Sequence, residues 1–207
     1  TRALSSGLTF VSLSAYRDLD THLREDTDGS NVAAVATEVD WKQDQFTQEF
    51  RLQYKDEGLS WVAGAYYLQE DQESVVNINS VVNIDTESQL SAYSLFGQGT
   101  LAIDSALNAT LGLRYSHEEK EYQNTQTHPA PALAFSLDQS QDWSSWSPKV
   151  GLDYTYDSGA MVYGSASRGF KSGGYNVTSS DPEFDPEYVW SYEVGTKLQM
   201  LDDTLQS

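Results

Sequence analysis

Apolar and polar side chains alternate along several stretches of the chain. The clearest stretch is 107–116, where Leu, Ala, Leu, Leu and Tyr occupy one phase and Asn, Thr, Gly, Arg and Ser the other. A two-residue period places the two sets on opposite faces of a β-strand. The same split recurs around 46–55, 149–156 and 190–200. These four segments predict strands with one apolar and one polar face.

Four further segments are rich in Tyr, Val, Leu and Phe, although their two faces are mixed: 8–19, 59–70, 90–103 and 160–171. These residue types favour strands. Apolar residues do not recur at the three- and four-residue spacing of an amphipathic helix over any long segment. We therefore predict an all-β chain of about eight strands.

Short and long connections take turns between these strands. The predicted short turns are Asp56-Glu57-Gly58, Asp104-Ser105-Ala106, Asp157-Ser158-Gly159 and Asp202-Asp203-Thr204. The predicted long polar loops are about 24–42, 72–88, 120–142 and 172–188. This order predicts an antiparallel up-and-down meander with short turns on one side and long loops on the other.

A kelch-type propeller and a soluble sandwich are the alternatives to a membrane barrel, but each period of about 50 residues has two long strands where a propeller blade needs four short ones. The polar phase of the strands also carries charged residues. They are Glu49, Arg51, Lys55, Arg114, Lys149, Asp153, Glu193 and Lys197. A soluble core cannot bury so many charges without partners, whereas a water-filled barrel interior accommodates them. We therefore predict a segment of a transmembrane β-barrel whose apolar phase contacts lipid.

Aromatic residues lie near the ends of the predicted strands. Those near long loops are Trp41, Trp143, Trp146 and Trp190, and those near short turns are Tyr54, Trp61, Tyr154, Tyr156 and Tyr163. Amphipathic rings favour the headgroup region of a bilayer. The sequence therefore predicts two aromatic belts.

Composition excludes several classes of function. The formal net charge is -19, from 31 acidic and 12 basic residues, which disfavours nucleic acid as a partner. Cysteine is absent, so neither disulfides nor thiolate sites are expected. The sequence starts at Thr1 with no leader pattern, and we expect it to be a fragment of a longer protein.

Catalytic and metal-binding patterns are weak. The glycines and lysine of 163–176 do not fit a phosphate-binding loop, because Phe170 separates Gly169 from Lys171. The three histidines, His22, His117 and His128, lack partners at ligand spacing, and 25–31 lacks the end carboxylates of a calcium loop. We expect no enzymatic activity, no cofactor and no metal site.

Several segments resemble strands from the barrels of TonB-dependent outer-membrane receptors, in the same order along the chain. They are "QFTQEFRLQ" (45–53), "YSLFGQGTLAI" (93–103), "LGLRYSHEEKEY" (111–122), "SPKVGLDY" (147–154), "SRGFKSGGYN" (167–176) and "SYEVGTK" (191–197). The resemblance implies an uptake receptor in the outer membrane of a Gram-negative bacterium. Its implied partners are outer-membrane lipid, an extracellular ligand such as a ferric siderophore, and the TonB complex.

The same resemblance implies that residues 1–207 are part of one barrel domain. The family's N-terminal plug, through which TonB acts, has no counterpart in this sequence. We expect the motif Arg168-Gly169-Phe170-Lys171-Ser172-Gly173-Gly174 to be a strand exit and loop anchor, with positive φ available at its last two glycines. Arg168 and Lys171 have opposite phases, so regular alternation allows only one of them to face the lumen.

Ligand contacts are expected on the long loops, where aromatic side chains offer rigid surface. The candidates are Tyr122, Trp143, Trp146 and Tyr175. Two other classes stay open from the residues alone. One is a passive porin or outer-membrane enzyme, and the other is a soluble β-domain that binds carbohydrate.

Overall fold

The computed structural model describes residues 1–27, 29, 31, 35–181, 183–200 and 205–206. The strands within these residues are β1 (Arg2–Ser5), β2 (Leu8–Asp26), β3 (Ala36–Lys55), β4 (Leu59–Ile78), β5 (Val82–Ala102), β6 (Leu107–Thr127), β7 (Phe135–Thr155), β8 (Met161–Lys171), β9 (Gly174–Tyr175), β10 (Glu183–Phe184), β11 (Glu187–Lys197), β12 (Gln199–Met200) and β13 (Leu205–Gln206). One 3₁₀ turn, Pro131–Leu133, precedes β7. No helix in the described part of the chain has the length and apolar character needed to cross a bilayer.

Nine strands form one antiparallel sheet in the order β1-β2-β3-β4-β5-β6-β7-β8-β11. Each strand from β1 to β7 pairs with the next strand in sequence, and β8 pairs with β11. The predicted all-β, up-and-down architecture is therefore confirmed. Two small antiparallel pairs, β9 with β10 and β12 with β13, stand outside the sheet. The four-residue strand β1 was missed, because its short sequence shows no alternation.

Three of the predicted long loops are wrong in extent. The strands β2 to β7 are 19 to 21 residues long, and they occupy about half of 24–42 and most of 72–88 and 120–142. The connection between β4 and β5 is 79–81, and that between β6 and β7 is 128–134. In parts of these regions, such as 72–74 and 118–121, polar residues occupy both phases, so the alternation that identifies a strand disappears there although backbone pairing continues. Among the described residues, the fourth loop, between β8 and β11, is largely irregular.

The short turns are confirmed where they lie within the described residues. Asp56 and Asp104 share one geometry: each Oδ1 accepts backbone N–H groups two and three residues ahead, at 2.7–2.9 Å. The Tyr54 hydroxyl, which donates to Asp56 at 2.8 Å, lowers the pKa of the Asp56 carboxyl most, and the backbone bonds lower it further. The backbone bonds alone lower the pKa of Asp104. In the third turn Gly159 adopts φ +82°, which suits glycine. The predicted turn at Asp202-Asp203-Thr204 lies outside the described residues.

The sheet has two faces, which we name by one residue each. The leucine face carries Leu111 and Val150, which are 67% and 48% exposed. The arginine face carries Arg114, whose guanidinium donates to the Ser94 and Ser116 hydroxyls at 2.8 and 3.0 Å. The predicted separation of apolar and polar phases in the turn-side half of the strands is therefore confirmed.

Aromatic side chains on the leucine face form two rows. The loop-side row consists of Phe46, Tyr67, Tyr93, Tyr115 and Trp146, and the turn-side row includes Tyr54, Trp61 and Tyr154. Along β3 the two rows are eight positions apart, from Phe46 to Tyr54. Nine residues counted inclusively fall within the roughly 9–11 that a tilted strand needs to cross a bilayer.

Both rows shift along the strands by the same number of residues from β3 to β7. Register pairs place Trp146 of β7 level with Phe50 of β3, four positions along β3 from Phe46. Over the same four steps from β3 to β7, Tyr154 shifts by four positions from the level of Tyr54. One residue per strand, about 3.3 Å of rise over about 4.8 Å of strand spacing, corresponds to a tilt of about 35°. This value lies in the range of closed barrels, roughly 35–45°.

Three predicted belt residues are corrected. Trp41, Trp143 and Tyr163 share the phase of the arginine face, so they do not join the rows on the leucine face. Distance from a loop along the chain gives the level of a ring in the sheet but not its face. Because neighbouring residues of a strand point to opposite faces, phase decides which side a ring occupies.

Candidate functional site

We call the part of the sheet beyond the loop-side aromatic row the loop-side extension; it comprises 17–26, 36–45, 68–78, 82–92, 116–127 and 135–145. The candidate site lies on the arginine face of this extension. Here the segment 172–184, which contains β9 and β10, folds back against β6 and β7. The buried apolar side chains of the described residues, Ile84 and Tyr122, are both in this region. The packed centre of the chain is therefore at the loop side and not between the aromatic rows.

Three of the four predicted ligand candidates meet in this centre, which we call the aromatic shelf. The rings of Tyr122 and Tyr175 stack with centroids 4.7 Å apart and an interplanar angle of 12°. The Trp143 ring is tilted relative to the Tyr175 ring, with centroids 6.4 Å apart. Burial raises the pKa of the Tyr122 and Tyr175 phenols, and Glu183 raises that of Tyr175 further. Tyr122 is 3% exposed, whereas Trp143 and Tyr175 are half-buried and retain accessible surface.

The fourth candidate, Trp146, does not join the shelf. It lies on the leucine face, is 55% exposed and packs against Tyr115 with ring centroids 4.9 Å apart. Trp143 and Trp146 are three positions apart, and an odd separation along a regular strand puts their side chains on opposite faces.

Asn124 is a residue of this site that sequence reasoning missed. Its side chain is 1% exposed, and its Nδ2 donates to the Tyr122 hydroxyl at 2.5 Å and to the Val177 carbonyl at 2.7 Å. The second bond joins the irregular segment to β6. The signal for Asn124 was its shared phase with Tyr122, two positions earlier, but the predicted loop at 120–142 concealed that phase.

Gly173 and Gly174 are held by close packing. The expectation of positive φ is wrong, because the described residues with positive φ do not include either glycine. A Cβ at Gly173 would approach the Phe184 carbonyl oxygen to 2.5 Å and the Trp143 ring to 2.7 Å. At Gly174 it would approach the Phe184 ring to 2.8 Å. Both glycines let the segment lie directly on the shelf, so the space available, and not the backbone angle, requires them.

The rest of the motif forms the end of β8 and its contacts with β11. Arg168 is on the leucine face, with its guanidinium 4.1 Å from the centroid of the Tyr188 ring, and it donates to the Trp146 carbonyl at 3.4 Å. Lys171 is on the arginine face and pairs with Glu187 at 3.5 Å. The predicted opposite phases of Arg168 and Lys171 are therefore confirmed.

The middle residues of the motif pack at the same strand end. Phe170 lies beside Tyr188 with ring centroids 5.4 Å apart. A Cβ at Gly169 would meet the Val189 side chain at 2.9 Å. Ser172 is half-buried and links this strand end to the close-packed glycines.

Metal chemistry finds no support among the described residues, where no group of three or more His, Asp or Glu side chains is placed to hold an ion. His22 pairs with Asp40 at 2.7 Å, and the ring nitrogen of His117 lies 2.9 Å from the Ser144 hydroxyl. The acidic segment 25–31 lies partly outside the described residues.

Comparison with known structures gives the fold independently. The ferric yersiniabactin uptake receptor FyuA from Yersinia pestis matches with a TM-score of 0.80 at 17% identity, covering 94% of this chain and 31% of its own. The ferric-catecholate import receptor Fiu from E. coli matches with a TM-score of 0.74 at 15% identity, covering 98% and 37%. The siderophore receptor PiuA from Acinetobacter baumannii matches with a TM-score of 0.72 at 16% identity, covering 98% and 37%. The chain therefore spans about a third of each of these proteins.

The family comparison covers almost the whole sequence. Residues 2–206 match the family described as TonB dependent receptor-like, beta-barrel. Members of this family are outer-membrane transport receptors of Gram-negative bacteria. The chain belongs to the TonB-dependent receptor β-barrel family, and its nine-stranded sheet is a section of that barrel.

Proposed function

We propose that this chain forms part of the barrel wall of an energised uptake receptor in the outer membrane of a Gram-negative bacterium. Residues 1–207 would act as one partial barrel domain within a longer receptor. The observation that carries this proposal is the band between the two aromatic rows, which is apolar on the leucine face and polar on the arginine face. Such a band fits a wall with hydrocarbon on one side and an aqueous interior on the other.

The polar side of this band supports transport more than catalysis. Glu49, Arg51, Arg114 and Lys149 all lie on the arginine face, and Arg51 pairs with Glu49 at 2.6 Å. Charges of both signs along an inner wall suit a lumen that holds water or polar protein. We therefore infer no enzymatic role for the chain.

We propose a scarce extracellular ligand, such as a ferric siderophore, as the molecule taken up. The printed names of FyuA, Fiu and PiuA support this choice, since each of those proteins is a receptor for siderophores or ferric complexes. Energy would come from the TonB complex, acting on a plug domain elsewhere in the intact receptor.

Within the chain, the aromatic shelf is the proposed place of ligand contact. Trp143 and Tyr175 keep accessible ring surface, while Tyr122 and Asn124 support them from below. The motif from Arg168 to Gly174 would hold the segment 172–184 on the shelf. Trp146 would contact lipid.

The proposed function is tested by uptake in cells that express the intact receptor under iron limitation. We expect accumulation of a radiolabelled ferric siderophore from a mixed panel, and we expect it to stop when TonB is deleted although surface binding continues. Accumulation that does not depend on TonB would indicate a passive channel. Failure of the purified receptor to enter lipid vesicles would contradict the membrane assignment itself.

A further inference from the structure

The loop-side extension separates charge between its two faces. On the leucine face it carries fourteen acidic residues and two basic ones. The acidic residues are Asp18, Asp20, Asp26, Glu38, Asp40, Asp44, Asp71, Glu73, Asp85, Glu87, Glu119, Glu121, Asp138 and Asp142, and the basic residues are Arg24 and Lys42. The arginine face of the same segments carries Glu25, Glu70 and Glu118 against Arg17 and Lys120.

The arginine face of the extension is instead lined by amides and aromatic rings. They are Trp41, Gln43, Gln45, Gln72, Tyr122, Asn124, Gln126, Gln139, Gln141 and Trp143. Its three acidic and two basic residues nearly cancel in charge, and Glu70 accepts a hydrogen bond from the Gln45 amide at 2.8 Å. This wall therefore has almost no net charge, although the chain as a whole is strongly acidic.

Several buried polar atoms of this wall lack hydrogen-bond partners. The Oε1 of Gln43, the Oδ1 of Asn124 and the Oε1 of Gln139 are acceptors and the Nε1 of Trp41 is a donor, while the hydroxyls of Ser145 and Tyr175 can do both. Gln43 and Asn124 are only 8% and 1% exposed. A buried polar atom without a partner is costly, so a ligand group that reaches one gains more than a surface contact would give.

Acceptors outnumber donors among these atoms. The wall therefore favours a ligand that supplies hydrogen-bond donors. A ligand hydroxyl or N–H group can donate to the amide oxygens. An anionic oxygen can only accept, and it would meet carbonyl oxygens on this wall and fourteen carboxylates around its outer side.

We propose that this wall selects net-uncharged, donor-rich ligands over polyanionic ones. The inference rests on the proposed receptor function and narrows its ligand class. Among ferric complexes it favours an uncharged trihydroxamate over a trianionic tris-catecholate. Neutral oligosaccharides share the same chemistry and are the second source of such a ligand.

The test is titration calorimetry on the intact purified receptor with three kinds of probe: a neutral ferric trihydroxamate, a ferric tris-catecholate trianion and a panel of neutral oligosaccharides. We expect at least one neutral probe to bind about tenfold or more tightly than the trianion. A trianion that binds as tightly as the best neutral probe overturns the proposal, and so does the absence of binding by every neutral probe. The neutral probe that binds identifies which source applies.

Two substitutions distinguish the effect of the wall on ligand affinity from the effect of the protein's overall electrostatic field. Gln139→Arg adds a positive charge to the arginine face, and Ser140→Arg adds the same charge on the leucine face one residue later. We expect the first to raise trianion affinity about tenfold relative to the neutral probe, and the second to change it less than twofold. Equal effects would overturn the role of the wall.

The outcome is distinguishable from failure of the receptor assignment. If cells that express the intact receptor show no TonB-dependent accumulation but the purified receptor still prefers neutral probes, the proposed function is contradicted and the ligand selectivity stands. Energised uptake of a trianionic ferric complex keeps the proposed function and overturns the ligand class.

Discussion

The two halves of each long strand have the same backbone pairing, but the polarity of their two faces differs. Between the aromatic rows, the leucine face is apolar and the arginine face carries the charges. In the loop-side extension, the leucine face is acidic and exposed, while the arginine face holds the buried residues Ile84, Tyr122 and Asn124. The strand phase is constant along β6, but the surroundings of each face change at the level of Tyr115. The phase of a residue therefore gives its face, and its level along the strand gives what that face meets.

The largest expected effect follows from a charge placed in the apolar band. Leu111 is midway between the rows on β6, so Leu111→Arg puts a guanidinium into the proposed hydrocarbon zone. We expect it to destabilise the intact receptor by about 2–4 kcal/mol, measured by denaturant titration in lipid vesicles. The neighbouring change Thr110→Arg faces the arginine side and serves as the matched control. Equal destabilisation by the two variants would contradict the two-face assignment.

A somewhat smaller effect is expected at the shelf. Gly173→Ala brings a methyl group within 2.5 Å of the Phe184 carbonyl oxygen, so the segment 172–184 must move away from Trp143. Overpacking of this kind costs about 1–3 kcal/mol. We expect faster proteolysis within that segment of the intact receptor.

The control for this change is Gly164→Ala in β8, where the nearest atom to the new Cβ, the Glu193 carbonyl oxygen, is 3.8 Å away. We expect this variant to leave the proteolysis rate unchanged. If Gly173→Ala also leaves it unchanged, the proposed anchoring role of the motif is wrong.

The same comparison explains what the sequence could predict. The strands around 107–116 and 149–156 were identified because apolar and polar residues alternate there, and the turns at Asp56 and Asp104 because their residue types favour turns. The sequence of the extension predicts loops because segments such as 72–74 and 118–121 are polar in both phases. Their pairing depends on backbone hydrogen bonds with neighbouring strands, which carry no local side-chain pattern.

The shelf was only partly predictable for the same reason. Aromatic character predicts Tyr122, Trp143 and Tyr175 as candidates, but they meet only because the segment 172–184 folds back against β6. One hydrogen bond that holds it there joins Asn124 and Val177, which are 53 positions apart. The glycine motif was found from its sequence, while the close approach that requires Gly173 and Gly174 is visible only in three dimensions.

A smaller effect is expected where like charges face each other in the extension. Asp44 and Asp71 are direct register partners on the leucine face. Like charges in this arrangement are destabilising, so Asp71→Asn should stabilise the intact receptor by about 0.2–1 kcal/mol at low salt. The gain should shrink as salt is added, because screening weakens the repulsion between exposed charges. A stability gain that is independent of salt would show that repulsion is not its source.

The smallest expected effect is the pH response of a turn on the other side of the sheet. The N–H groups of Ala106 and Leu107 lower the pKa of Asp104, so its ionised form stabilises the folded turn. A carboxyl with a depressed folded pKa contributes stability above its unfolded pKa, and this contribution is lost as the pH falls through the folded value. Asp104→Asn keeps an oxygen acceptor without the titration. We therefore expect the difference in thermal midpoint between the original receptor and this variant to be present at neutral pH and to narrow below about pH 4, the range in which aspartate titrates. A difference that stays constant through that range would show that the Asp104 charge does not stabilise the turn.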